Sequence, residues 1–269
     1  MTTTKVTLGD VIDLERYPID QLNSRKGRAL IDFCHASLAF EGACQLAGFF
    51  RPEAVDRLVA EAQEKQSAAY RTDDTHNVYF EQVPSESAAD NPAAVLQHSS
   101  KLTIAWDLVG EDSPLRVAYE SDELTTFLGQ ALGMETFYRY ADPLGAASLM
   151  IFNEGDELGW HFDRSPFAVT VMLHPVVFGG EYQYFHNLRT ADNQNSSGVL
   201  AALRGEQPGR ITLAGEPGAL TMFRGQHSLH RVTPVEGAEP RINAVLSYSE
   251  RPGDKLNALT QQLFYGRTA

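Results

Sequence analysis

Cysteine is scarce in this 269-residue chain, which contains only Cys34 and Cys44. No metal-ligand or disulfide spacing surrounds them, so a zinc ladder and a disulfide framework are excluded. Two buried, reduced thiols in a reducing compartment are expected instead. Basic residues also run short, with 22 Lys and Arg against 35 Asp and Glu and a formal net charge of −13 at pH 7. A phosphate backbone is bound largely through basic side chains that release counterions, and an anionic membrane surface attracts the same side chains. Nucleic acid and membrane are therefore disfavoured as partners. No apolar run approaches the length of a bilayer span. The opening Met1-Thr2-Thr3-Thr4-Lys5-Val6 lacks the basic-then-apolar order of a signal peptide. These absences point to a cytoplasmic enzyme or binding protein that acts on something small.

Read in order, the first half looks helical. After an apolar run at Ala29 to Cys34, Pro52 occupies a position where a helix can start without losing a hydrogen bond. Val55, Leu58, Val59 and Ala62 then recur at helical spacing, opposite Glu53, Asp56, Glu61 and Glu64. Asp73 to Gln97 reads as a polar loop. Ser113-Pro114 opens a second helical region, which re-caps near Ser121 and stops at Gly133. From Thr136 the texture changes to short β-like runs separated by turn residues. Candidate strands are Phe137 to Tyr140, Ser148 to Asn153, Gly159 to Asp163, Ala168 to Leu173, Glu181 to Phe185, Arg210 to Leu213, Ala219 to Phe223, Ser228 to Pro234 and Ile242 to Ser249. Many short strands of this kind indicate a sandwich or barrel rather than an alternating α/β sheet. Asn187 to Pro208 interrupts the rhythm as a lid, a binding loop or an insertion. With no repeat and no clean linker, one domain over 1–269 is expected: largely helical support and substrate-side loops over 1–135, a β core over 136–250 and a C-terminal extension over 251–269.

The chemistry concentrates at Gly159-Trp160-His161-Phe162-Asp163. On an extended segment, side chains two apart share a face, so His161 and Asp163 present an imidazole and a carboxylate side by side. These are two-thirds of a 2-His-1-carboxylate site, which suits Fe(II) and leaves coordination positions open. His-x-Asp alone is a weak signal. A third ligand must come from elsewhere in the fold, and His227 and His230 are the candidates. Farther on lies Arg241, whose planar fork of donors suits bidentate capture of a carboxylate. On an extended strand Asn243, Val245 and Ser247 would share its face, so Asn243 and Ser247 are candidate pocket residues.

The order His161-x-Asp163, His230 within His-Arg-Val-Thr-Pro-Val, then Arg241, resembles the Fe(II)/2-oxoglutarate-dependent dioxygenase superfamily over roughly 136–248. The phrases Gly155-Asp156-Glu157-Leu158-Gly159-Trp160-His161-Phe162-Asp163, Phe223-Arg224-Gly225 and Leu229-His230-Arg231-Val232 resemble its HalD/BesD-like group of free-amino-acid halogenases and hydroxylases. The resemblance implies a double-stranded β-helix (jelly roll), mainly β with an α+β helical layer. It implies Fe(II) held by His161, Asp163 and His230, 2-oxoglutarate anchored by Arg241, and dioxygen as co-substrate. His227 is then outside the ligand set, and Arg231 points outward in a structural role. Halogenases of the group carry a small residue at the carboxylate position, where chloride binds the iron. The aspartate here implies hydroxylation, with succinate and CO2 released. The expected partner is a free polar or cationic amino acid or derivative and, at most, a second copy of the chain in a homodimer.

Trp160, Phe162, Tyr182, Tyr184 and Phe185 could wall such a site, although sheet core accounts for most of them. Gly179-Gly180 reads as a tight turn, since no helix follows to cradle a phosphate. Arg71, His76 and His98 fall in polar sequence, where a solvated loop is the plain reading and a substrate carboxylate the sharper one. Among rival functions, nucleic-acid demethylation needs a basic face that this chain lacks. Peptidyl hydroxylation shares the motif. A non-catalytic jelly roll leaves the complete triad and Arg241 unexplained.

Overall fold

The computed structural model describes residues 6–81 and 90–269. Among them the helices are α1 (Leu8–Val11), α2 (Arg25–Glu41), α3 (Pro52–Lys65), α4 (Pro114–Tyr119), α5 (Asp122–Leu132), α6 (Ser196–Leu203) and α7 (Ala258–Tyr265). Local chemistry sets their ends. Ser24, Ser113, Ser121 and Asn257 each accept a backbone N–H of the first turn, and Gly42 and Gly133 close α2 and α5 in the left-handed conformation. No helix among the described residues is long and apolar enough to cross a membrane.

The strands are β1 (Ala43–Leu46), β2 (Tyr70–His76), β3 (Gln97–Ile104), β4 (Tyr138–Arg139), β5 (Ala147–Phe152), β6 (Leu158–His161), β7 (Ala168–His174) and β8 (Phe178–Gly179). They continue with β9 (Tyr182–Phe185), β10 (Ile211–Leu213), β11 (Leu220–Phe223), β12 (Leu229–Val232), β13 (Val235–Glu236), β14 (Arg241–Leu246) and β15 (Tyr248–Ser249). Eleven of them form one antiparallel sheet, ordered β1-β11-β7-β14-β5-β3-β6-β12-β9-β10, with β2 paired to β3. The seam is β3. Its Leu102 to Ile104 pair with β5, while Ser99 pairs with Leu158 of β6, so the sheet curls over on itself. The result is the α+β jelly roll implied by the resemblance.

Alternation decides what each face does. Leu149 and Ile151 of β5, Val169, Val171 and Leu173 of β7, Leu220 and Met222 of β11, and Ile242, Ala244 and Leu246 of β14 point outward. There they join Leu38, Leu58 and Phe127 from the helices in one core. Each large side chain so buried contributes about 1.5–3 kcal/mol. The inward face is left to polar groups, including Ser99, Lys101, Thr103, Ser148, Arg241 and Asn243, all buried.

Three expectations change. The first 135 residues are not merely helical support: β1, β2 and β3 enter the main sheet. Asp73 to His76 and Gln97 are strand residues rather than loop, and positions 82–89 of the expected loop lie outside the described residues. The stretch 187–208 includes α6 and is anchored by Leu188, Val199 and Ala202 in a second core beside Trp160, Phe162, Phe185 and Leu229, while Thr190 to Gln194 are exposed. Cys34 and Cys44 are both buried and free.

Candidate metal centre

Cross-strand register places the two imidazoles side by side. His161, the last residue of β6, is the direct partner of His230 on β12, and their ring centroids are 4.0 Å apart. Asp163 lies just past the end of β6. The N–H of Phe162 donates to Val78 O at 2.8 Å and that of Asp163 to Gly225 O at 3.1 Å, which keeps the chain extended. Asp163 Oδ1 sits 3.7 Å from His161 Nε2 and 3.5 Å from His230 Nε2. One donor atom from each of the three residues falls within 4.8 Å of the others.

Each imidazole is oriented by its own strand. His161 Nδ1 is 2.8 Å from Gly159 O and His230 Nδ1 is 3.0 Å from Ser228 O, in each case a carbonyl two residues upstream. A carbonyl can only accept, so both Nδ1 atoms donate and both Nε2 atoms are turned to the shared centre. Burial, reinforced by neighbouring His230, lowers His161 to about 3, so its ring is neutral near pH 7. Burial by itself would raise the Asp163 carboxyl, but His230 and His161 outweigh it and the net displacement is downward. Asp163 Oδ2 is buried and has no hydrogen-bond partner. Two imidazoles, one carboxylate and its orphaned oxygen make a donor set that fits Fe(II).

Arg241 opens β14 and is 5% exposed. Its Nη1 donates to Asn243 Oδ1 at 2.6 Å, its guanidinium lies 5.3 Å from the Phe152 ring centroid, and its Nε is buried without a partner. Burial lowers the group to about 10, which still leaves it a cation near neutral pH. Arg241, Asn243 and Tyr182 line a cavity of about 260 Å³ together with Thr170, Met172 and Thr221. Ser247 does not line it. Four residues beyond Asn243 on an extended chain is about 13 Å, and Ser247 there bonds through its backbone to Ala146 and Tyr119. The strand-face argument holds for Asn243 and runs out before Ser247.

Other residues fall into place around this centre. His227 is outside the metal cluster. Arg231 lies outward, its guanidinium 4.7 Å from the Trp160 ring and bonded to Gln183. Arg71 pairs with Asp156 and His98 lies between Asp73 and Glu157, so neither faces the triad. Tyr182 walls the site, with its ring 5.6 Å from that of His230. Phe223 approaches the same imidazole edge-on at 4.9 Å.

Three contributors are not legible from sequence in the places they take here. His76, for which a solvated loop is the plain reading and a substrate carboxylate the sharper one, has its ring 6.2 Å from that of His161. Phe80 stacks on His76 at 4.4 Å and lies 5.4 Å from His161, held at φ +53° by a loop that Asn77 knits together. Gly225 is the third, since a Cβ there would lie 1.8 Å from Asp163 Oδ2. Only the phrase Phe223-Arg224-Gly225 hinted at it.

The halogenase D family model matches residues 29–262. A search of curated proteins finds no match. Among solved structures, the fold is similar to the non-heme, alpha-ketoglutarate-dependent epimerase SnoN from nogalamycin biosynthesis, at 14% identity over 83% of each chain with a TM-score of 0.56. It is similar to AviO1 from Streptomyces viridochromogenes, at 15% identity over 84% of this chain and 96% of that one with a TM-score of 0.54. It is also similar to a prolyl-4-hydroxylase from Pseudomonas putida, at 17% identity over 86% of this chain and 100% of that one with a TM-score of 0.51.

Proposed function

The chain belongs to the halogenase D family, and on that premise we propose that it is an Fe(II)- and 2-oxoglutarate-dependent hydroxylase of a free polar or cationic amino acid or derivative. The observation that carries the choice of hydroxylation is Asp163. Its carboxylate stands with both imidazoles in one donor cluster, at the position where a halogenase needs a small side chain and chloride. His161, Asp163 and His230 would hold the metal. When bound, the metal and 2-oxoglutarate supply the oxidising chemistry that inserts one atom of dioxygen into a C–H bond, with succinate and CO2 released.

The protein's own part is position and exclusion of water. Gly159 O and Ser228 O fix the two ring orientations. Arg241 receives the far carboxylate of 2-oxoglutarate, with Asn243 steadying its fork and the unsatisfied Nε available as a further donor. Phe80, Phe223 and Tyr182 cover the imidazoles and keep bulk water from the reacting centre.

The test has two stages. Under anaerobic conditions, Fe(II) plus 2-oxoglutarate is expected to give a visible metal-to-ligand charge-transfer band, and Arg241→Met should weaken 2-oxoglutarate binding by about tenfold to a hundredfold, the worth of charge-assisted hydrogen bonds. Succinate release is then screened over the free amino acids, with mass spectrometry for a gain of one oxygen. No band would leave only a non-catalytic jelly roll, and turnover confined to peptide-bound residues would favour a peptidyl hydroxylase.

A further inference from the structure

The inner face of the curled sheet carries two buried cations, and the proposed function uses only one of them. Arg241 pairs with Phe152 across β14 and β5. On the other side of β5, Leu102 pairs with Ile151 and Thr103 with Met150, and continuing that register aligns Lys101 with Phe152. Lys101, Phe152 and Arg241 thus form one row over three adjacent strands, the Cα atoms of the two basic residues about 10 Å apart at the usual strand spacing. Leu102, Ile104, Leu149 and Ile151 occupy the outward positions of β3 and β5, so Lys101 and Phe152 turn inward.

Lys101 also points to the side of the metal centre. Ser99, two residues earlier on the same face of β3, lies 2.7 Å from His76 Nε2, and the His76 ring is 6.2 Å from that of His161. Yet Lys101 is only 5% exposed and, among the described residues, has neither a hydrogen bond nor a carboxylate within 4.0 Å. Its ammonium lies 6.0 Å from the centroid of the Phe264 ring. Of the two acids whose charge reaches it, Asp156 is already committed to Arg71 and Ser100, and Asp74, on the same face of the paired strand β2, is exposed and makes no ion pair with it within 4.0 Å. Burial lowers the ammonium to about 8, with Asp74 and Asp156 recovering part of the displacement. A desolvated cation with no carboxylate in contact is costly to keep, and an incoming anion offsets that cost.

We propose that Lys101 is the residue that receives the carboxylate of the substrate, as Arg241 receives that of 2-oxoglutarate. The inference rests on the oxygenase reading above and deepens it. Two anion-binding corners on one row would let the co-substrate and an amino acid enter together, each held by its own carboxylate. The preference would be for free acids over amides and peptide-bound residues, because only a free acid carries the group that Lys101 lacks.

The test uses the anaerobic complex of the full chain with Fe(II) and 2-oxoglutarate, in which the charge-transfer band reports 2-oxoglutarate. The probes are the twenty proteinogenic L-amino acids and the primary amides of those that bind, followed by thermal shift and by perturbation of the band. At least one free acid should bind, with its amide weaker by about tenfold to a hundredfold, the range for hydrogen bonds to a charged group. Lys101→Met and Lys101→Gln should each weaken the acid by the same factor, leave the amide unchanged, and keep wild-type affinity for 2-oxoglutarate. That retained affinity also shows that the variants are folded. Equal binding of acid and amide, undiminished binding of the acid by both variants, or a normal band with no acid bound would each overturn the proposal. Absence of the band in the wild type would instead remove the oxygenase reading, and this inference with it.

Discussion

Gly225 shows how a residue with no side chain can decide a metal site. Its backbone passes so close to Asp163 that a single methyl group would lie 1.8 Å from Oδ2, a distance no contact tolerates. Gly225→Ala should therefore push the carboxylate out of line with His161 and His230 while leaving the outer core untouched. We expect metal affinity to fall by about ten- to a hundredfold or more, as when the groups that orient metal ligands are lost. A Mn(II) titration read by electron paramagnetic resonance, with circular dichroism to establish the fold, checks this. Unchanged affinity would mean that the strand end relaxes. His161, Asp163, His230 and Arg241 were legible in the sequence because each is a distinctive side chain in a distinctive phrase. Gly225, His76 and Phe80 were not, because their importance is a matter of what lies next to them.

At the level of elements, the ends of α3, α4 and α5 and the nine candidate strands after Thr136 were legible, whereas β1, β2 and β3 were not, and the reason is chemical. Pro52, Ser113, Ser121 and Gly133 announce helix ends by local hydrogen bonding, which needs no knowledge of the fold. By contrast, β2 has Thr72 as its only buried residue, and the inner face of β3 is polar. Neither strand shows the apolar alternation that marks a half-buried strand, because the inward face of this sheet lines a chemical site. Asp142, just before β5, joins the β core to the C-terminal segment. Only 1% exposed, it accepts from Leu144 N at 2.9 Å, Gly145 N at 2.7 Å, Leu256 N at 3.0 Å and Gln261 Nε2 at 2.7 Å. Asp142→Ala orphans four donors at once and should cost at least about 3 kcal/mol in urea unfolding. A loss below about 1 kcal/mol would show that water replaces the carboxylate.

For the whole molecule, the dependence of stability on pH contains a contribution that belongs to Lys101. Its folded value is about 8 against 10.5 for the free side chain, so between those values the unfolded chain holds more protons than the folded one. Stability from this group therefore rises with pH across that window, by on the order of 3 kcal/mol, and the same amount is withheld below pH 8. Lys101→Met should be the more stable protein at pH 7, and its advantage should shrink as pH climbs toward 10.5. Unfolding of the two proteins measured in parallel isolates this difference from other titrating groups, and equal stability at every pH would contradict it. The sequence by itself determined the donor types, the helix ends and the net acidic charge, because these follow from side-chain chemistry and local hydrogen bonding. Only the tertiary structure decided which strands close the sheet through β3, how His161 and His230 meet in register, where the strand face of Arg241 stops short of Ser247, and that Lys101 is buried beside the site. Those are properties of residues far apart in the chain, and no local preference encodes the distance between them.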